Sequence, residues 1–211
     1  MNEIISAYFE RLAAISPPEE AQRYMDVLHP DPEVRARADE YFRRHEPRHA
    51  SMLRSSITPT IFQGGYRINV IPSEAKALLD TRLEPGEDPE AFLEAVREVI
   101  DNPAIEVSWA PRNMRPPGTA RLDTEAFAVI EANIAKHYDT VTLPTMSTGA
   151  TDMAYLRARG IQCYGIGPAI DIEDGPLGFG AHSDQERILE SELHRFVRFH
   201  YDVVVDMARS R

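Results

Sequence analysis

The sequence predicts an α/β protein in two parts: a small α+β unit, then a layer of alternating helices and strands. Three observations carry this. Residues 74–83 alternate with a period of two, the signature of a strand. A capped helix signal follows at Asp88. Beyond a proline-rich break at 111–118, the order becomes helix, strand, helix, strand, which implies a parallel sheet with helices packed on it.

The elements follow in chain order. Ile4, Tyr8, Leu12 and Ile15 recur at helical spacing and predict a helix over 3–15, stopped by Pro17 and Pro18. Residues 19–53 read as short helices broken by Pro30, Pro32 and Pro47. They are rich in Arg, Glu and Asp, so a solvated helical insertion is expected. Residues 57–63 read as a strand, Gly64 and Gly65 as a turn, and 66–71 as another short extended piece. In the alternating strand, Ala75, Ala77, Leu79 and Thr81 face one way, and Lys76, Leu78, Asp80 and Arg82 the other. Pro85 and Gly86 make a turn. Asp88 can cap a helix, Pro89 suits its first position, and Glu90 complements its dipole. Phe92, Val96, Val99 and Ile100 supply its apolar face, and a strand is expected over 105–109.

The second part is expected to hold a helix at 123–138, a strand at 141–146, a helix at 151–159 and a strand at 161–166. A last helix at 189–208 has Leu189, Leu193, Phe196, His200, Val203 and Met207 in register. There is no internal repeat and no low-complexity tract.

Composition narrows the function. The 211 residues are 43% hydrophobic and 27% charged, ordinary for a globular protein with a sizeable core. A formal net charge of −11 argues against nucleic acid and anionic membrane surfaces as partners, since both need a basic face. No apolar run approaches the roughly 20 residues of a membrane helix. The N-terminus carries Glu3 and no basic stretch, unlike a secretory signal. The single cysteine, Cys163, lies in an apolar run and reads as a buried, inert thiol. That count fits a reducing cytoplasm, which is the expected location.

Two metal-like motifs lose their geometric basis. His45-Glu46-Pro47-Arg48-His49 has the spacing that places two histidines on one helical face in zinc proteases. Pro47 breaks that helix and pushes Glu46 toward extended geometry, so a solvated charged segment is expected. His29-Pro30-Asp31 follows a helix rather than a strand and reads as a surface loop.

Three other stretches carry the chemistry. In GAHSDQERI, residues 180–188, His182 sits on a small-residue loop with Asp184 and Glu186 nearby; such a loop beyond a sheet can reach a cleft, and the carboxylates could orient the imidazole. In residues 147–168, Gly149 precedes a helix start whose backbone N–H groups would suit a carboxylate. In residues 69–88, Asn69 and Arg82 flank a strand, and a guanidinium suits bidentate carboxylate binding. Each residue alone has an ordinary alternative: a surface His, a capped helix, a surface charge.

In this order the stretches resemble metallopeptidase family twenty, which includes aminoacylase, acetylornithine deacetylase, succinyl-diaminopimelate desuccinylase and glutamate carboxypeptidase. The resemblance runs over about 3–208 and is strongest at 57–90 and 145–188. It implies an α+β lid, or dimerisation, domain with an antiparallel sheet over 1–112, holding the insertion at 19–53. The C-terminal part of a zinc-peptidase α/β catalytic domain would follow over 117–211. It implies that His182 is a zinc ligand, that Asn69 and Arg82 contact the substrate carboxylate or reacting carbonyl, and that Gly149 helps hold the carboxylate. It further implies two zinc ions in the intact enzyme, a peptide or N-acyl amino acid substrate with a free carboxylate, and a homo-oligomer formed through the lid.

The family's early H-x-D, bridging Asp, Glu–Glu pair and lid His have no counterpart in this sequence. Met1 is therefore expected to start partway through a larger enzyme, and the chain alone is expected to hold no catalytic residue, not to bind zinc tightly, and to be inactive. A non-catalytic dimerisation or binding module is the competing expectation.

Overall fold

The computed structural model describes residues 2–110, 115–116, 118–147 and 149–209. The expected boundary at 111–118 falls largely outside the described residues. The chain forms two compact units, one of Met1–Thr119 with Pro144–Ala158 and one of Ala120–Leu143 with Arg159–Arg211.

The first unit opens on four helices: α1 (Glu3–Ala14), α2 (Pro18–Asp26), α3 (Pro32–His45) and α4 (Pro47–Met52). The last three each start on a proline, which needs no hydrogen-bond acceptor at that position and arrives with helical φ. Asn2 caps α1 by accepting the Ile5 N–H at 3.0 Å, and Asp31 caps α3 by accepting the Glu33 N–H at 2.9 Å.

The expectation of a solvated insertion is overturned. Tyr24, Val27, Ala38, Phe42, Ala50 and Met52 are buried, and with Ile5, Tyr8 and Phe9 of α1 they form the core of this unit. The Phe9 and Phe42 rings stack with centroids 5.7 Å apart. The many charges misled because they pair along the outer faces, Arg23 with Glu19 and Arg44 with Glu40, each four residues apart. The opposite faces are left to the aromatic residues.

β1 (Ser56–Gly64) and β2 (Ala75–Arg82) form an antiparallel hairpin with Ser56 opposite Arg82 and Gly64 opposite Ala75. The register slips between Pro59 and Ile61, a bulge beside a residue that has no N–H to donate to the ladder. The extended piece expected at 66–71 is instead a turn. Gly65 adopts φ 73°, and the Val70 N–H closes onto the Arg67 carbonyl at 3.2 Å.

α5 (Pro89–Ile100) starts as its sequence requires: the Asp88 carboxylate accepts the Glu90 N–H at 2.8 Å. It ends at left-handed Asp101. The strand expected at 105–109 forms no ladder, and its Val107 carbonyl accepts the Arg97 guanidinium at 2.9 Å instead. A short α7 (Met153–Arg157) completes the unit.

The second unit rests on α6 (Glu125–Tyr138) and α8 (Glu190–Arg209). Asp202 accepts from Lys136 at 2.7 Å and bonds His137 Nε2 at 2.8 Å, while the Asn133 amide donates to Asp206 at 3.0 Å. Phe199 is fully buried against this pair. Residues 141–146 and 161–166 carry no ladder hydrogen bonds, so the expected parallel sheet is not formed among the described residues. The second segment is held sideways: the Tyr164 hydroxyl donates to the Arg121 carbonyl at 2.6 Å and its ring lies 5.7 Å from Phe127. Polar side-chain ties take the place of strand neighbours there. No described helix is long and apolar enough to cross a membrane.

Candidate substrate and metal residues

Arg82 ends β2 and is partly exposed, with its Nε donating to Asp80 at 2.7 Å. Two residues along a strand bring side chains to the same face, which explains the pair. Asn69 is exposed in the turn of the same hairpin. Gly149 is exposed ahead of α7, and its N–H donates to the Ser147 Oγ at 3.2 Å. All three belong to the first unit. Arg82 and Gly149 already have internal partners, so a carboxylate would have to compete with Asp80 and Ser147.

His182 lies in the second unit, exposed, and takes φ 68°. A non-glycine residue in that region is uncommon. Its N–H donates to the Glu186 carboxylate at 3.1 Å. Glu186 was expected to orient the imidazole; the bond it makes is to the His182 backbone instead. The same loop contains an ion pair with no local sign in the sequence: Arg187 with buried Asp174. Thirteen residues separate them, beyond any helical or strand period.

The described residues contain no group of three or more His, Cys, Asp or Glu side chains placed to hold a metal. A catalytic zinc usually takes three protein ligands. His182 alone falls short of that, so the described residues do not make up a metal centre.

The two motifs set aside from the sequence behave differently. His29 Nδ1 accepts the Asp31 N–H at 3.1 Å in an exposed loop. In the other motif, His45 ends α3 while His49 belongs to α4, so the two histidines do not share a helix. Yet His49 is not solvated. Its Nδ1 bonds Glu46 at 2.5 Å, and its ring packs against Tyr8, Phe9, Tyr24 and Phe42 at 5.5–5.7 Å. Its role is in the core. Cys163 is only half-buried, its Sγ 3.6 Å from the Ile161 carbonyl, because the apolar run around it has no strand neighbours to cover it.

Residues 10–108 match the family model of the M20 peptidase dimerisation domain. The chain is 24% identical over 155 residues to a probable carboxypeptidase S-like 2 of Dictyostelium discoideum, covering 73% of this chain and 30% of that protein. It is 28% identical over 116 residues to human aminoacylase-1, covering 54% and 28%. It is 26% identical over 160 residues to a succinyl-diaminopimelate desuccinylase of Ectopseudomonas mendocina, covering 71% and 38%. The chain thus spans about a third of these relatives' lengths. Among solved structures, an M20 family metallo-carboxypeptidase of Sulfolobus solfataricus has the same fold, with a TM-score of 0.61 at 17% identity over 96% of this chain and 44% of that one.

Proposed function

We propose that this chain, whose residues 10–108 match the M20 peptidase dimerisation domain, is part of a zinc-dependent hydrolase that cleaves amides of peptides or N-acyl amino acids bearing a free carboxylate. The match to that domain carries the reading, and the named relatives, a probable carboxypeptidase, an aminoacylase and a desuccinylase, support the substrate class. Residues 1–112 are proposed as the lid and 117–211 as a portion of the catalytic domain.

The roles are those the family resemblance implies, and the chemistry of each group suits its role. Arg82 offers a planar fork of donors to the substrate carboxylate, Asn69 an amide to the carboxylate or the reacting carbonyl, and Gly149 a backbone N–H. His182 is proposed as one donor to zinc, which when bound would supply a Lewis acid and an activated water. The remaining ligands, and the general base, come from outside the described residues.

The test uses this chain. N-acetylmethionine, titrated against isotopically labelled protein, is expected to shift the resonances of Asn69, Arg82 and Gly149. The C-terminal amide of the same compound, which lacks the carboxylate, is expected to leave them in place. Equal responses to both would contradict the carboxylate reading.

A further inference from the structure

We propose that Asp174 and Arg187, with Phe179 between them, are positioning residues that hold the His182 backbone in its left-handed conformation. The proposal rests on reading His182 as a metal donor. The loop over 171–187 has little apolar packing of its own: Ile172 and Leu177 are exposed. Its two ends are joined by side chains instead. Arg187 donates to a single Asp174 oxygen, from Nε at 3.0 Å and from a terminal nitrogen at 2.6 Å. Asp174 is only 6% exposed, and a carboxylate is rarely buried unless it is paired.

The guanidinium also lies over the Phe179 ring, 3.9 Å from its centroid. The same three residues exchange main-chain bonds. The Phe179 N–H donates to the Asp174 carbonyl at 2.8 Å, and the Arg187 N–H donates to the Phe179 carbonyl at 3.3 Å.

This frame encloses a tightly wound segment. Gly178 takes φ 88°, and Gly180 approaches Gly175 so closely that a Cβ on Gly180 would lie 3.2 Å from the Gly175 Cα. Short turns follow, from the Ser183 N–H to the Gly180 carbonyl and from the Glu186 N–H to the Ser183 carbonyl, both at 3.2 Å. At the tip the His182 N–H reaches the Glu186 carboxylate.

Among the described non-glycine residues, Asp101 and Asp139 share the positive φ, but each closes a helix. His182 closes none. A conformation of that kind persists only where the surroundings impose it, and here the surroundings are the Asp174/Arg187/Phe179 frame one residue beyond Glu186. Replacing Arg187 keeps the loop sequence around His182 intact while removing the tie, which makes the idea testable.

The experiment follows amide hydrogen exchange and the His182 Cα and Cβ chemical shifts in the 211-residue chain. Arg187→Met is expected to speed exchange at Phe179 and His182 by about tenfold, the scale of a lost charged hydrogen bond. The His182 shifts should move away from left-handed values, while amides of α6 and α8 stay as they were. Asp174→Asn should act in the same direction. Arg187→Lys keeps the charge and loses the fork, so it should fall between wild type and Met, and it serves if the Met variant does not fold.

Unchanged exchange at Phe179 and His182 in Arg187→Met would overturn the proposal. So would acceleration spread equally over α6 and α8, which would mark a general loss of stability. The parent reading is tested separately, with zinc in large excess because His182 alone does not complete a metal site: the His182 ring nitrogens should shift more than those of exposed His29, and a shift no larger would remove the donor role without altering the exchange result.

Discussion

The Tyr8 hydroxyl and His49 Nε2 lie 2.9 Å apart, joining α1 to α4 through the aromatic core of the first unit. His49 is bonded at both ring nitrogens, since Glu46 takes Nδ1. Its replacement therefore leaves the buried Tyr8 hydroxyl short of a partner, takes one of the partners of half-buried Glu46, and opens a cavity. His49→Ala should destabilise the unit by about 2–4 kcal/mol, and Tyr8→Phe by about 1 kcal/mol. Urea denaturation followed by tyrosine fluorescence checks both. A His49→Ala protein with an unchanged midpoint would show that the cluster is not part of the core.

High pH should loosen the same cluster. Burial, and secondarily the Glu46 carboxylate, push the Tyr24 phenol up to about 12. Burial also raises the Tyr8 phenol. The unfolded chain then loses its Tyr24 proton near the ordinary value of about 10, while the folded chain keeps it. Stability from this group is full below about 10 and falls as pH rises toward about 12. Melting temperature measured across that window should drop, and Tyr24→Phe should reduce the drop. An equal drop in both proteins would contradict the assignment.

Asp80 and Arg82 should oppose each other in substrate binding, since Asp80 occupies the guanidinium proposed to receive the carboxylate. Asp80→Asn is expected to tighten N-acyl amino acid binding about two- to fivefold, in line with the small strength of exposed ion pairs. Arg82→Met should weaken it by about tenfold or more, the cost of a charged hydrogen bond. Calorimetry or chemical-shift titration measures both. If Asp80→Asn weakens binding, the carboxylate does not use Arg82.

Self-association is expected through the hairpin. Ile61, Phe62, Leu78 and Leu79 are exposed on a two-stranded sheet, and Phe62 is 74% exposed. Such edges and apolar faces recruit another chain, and residues 10–108 match a dimerisation domain. Light scattering at tens of micromolar, an order-of-magnitude choice above specific affinities, should give a dimer or larger. Phe62→Glu should give a monomer with unchanged helix content. A monomeric wild type would contradict the expectation.

What the sequence disclosed depended on how local the determining interaction was. Strand β2 was legible because alternation at 75–82 is a local pattern, and α5 because Asp88, Pro89 and Glu90 form a local start signal, whereas the pairing of β1 with β2 was not read. The core of α2 to α4 was not, since Tyr24, Phe42 and Met52 sit among paired charges and their burial depends on Phe9 in α1. The strands expected at 141–146 and 161–166 needed a neighbour that the described residues do not provide, a property no short window contains. The proposal for His182 came from the resemblance of its loop rather than from the residue alone, and the Asp174/Arg187 tie in the same loop spans 13 positions and emerges only in three dimensions.

The most direct test of the central claim, that this chain supplies substrate-binding groups and one zinc donor without a complete metal centre, is hydrolysis of N-acetyl amino acids by the 211-residue chain, assayed with excess zinc and again with chelator. A catalytic zinc usually needs three protein ligands, and the described residues bring together no such group. The general base, proposed to come from outside the described residues, is worth a further factor of about 10²–10⁴. The expected result is no turnover above background in either condition. Turnover that zinc supports and chelator abolishes would contradict the account.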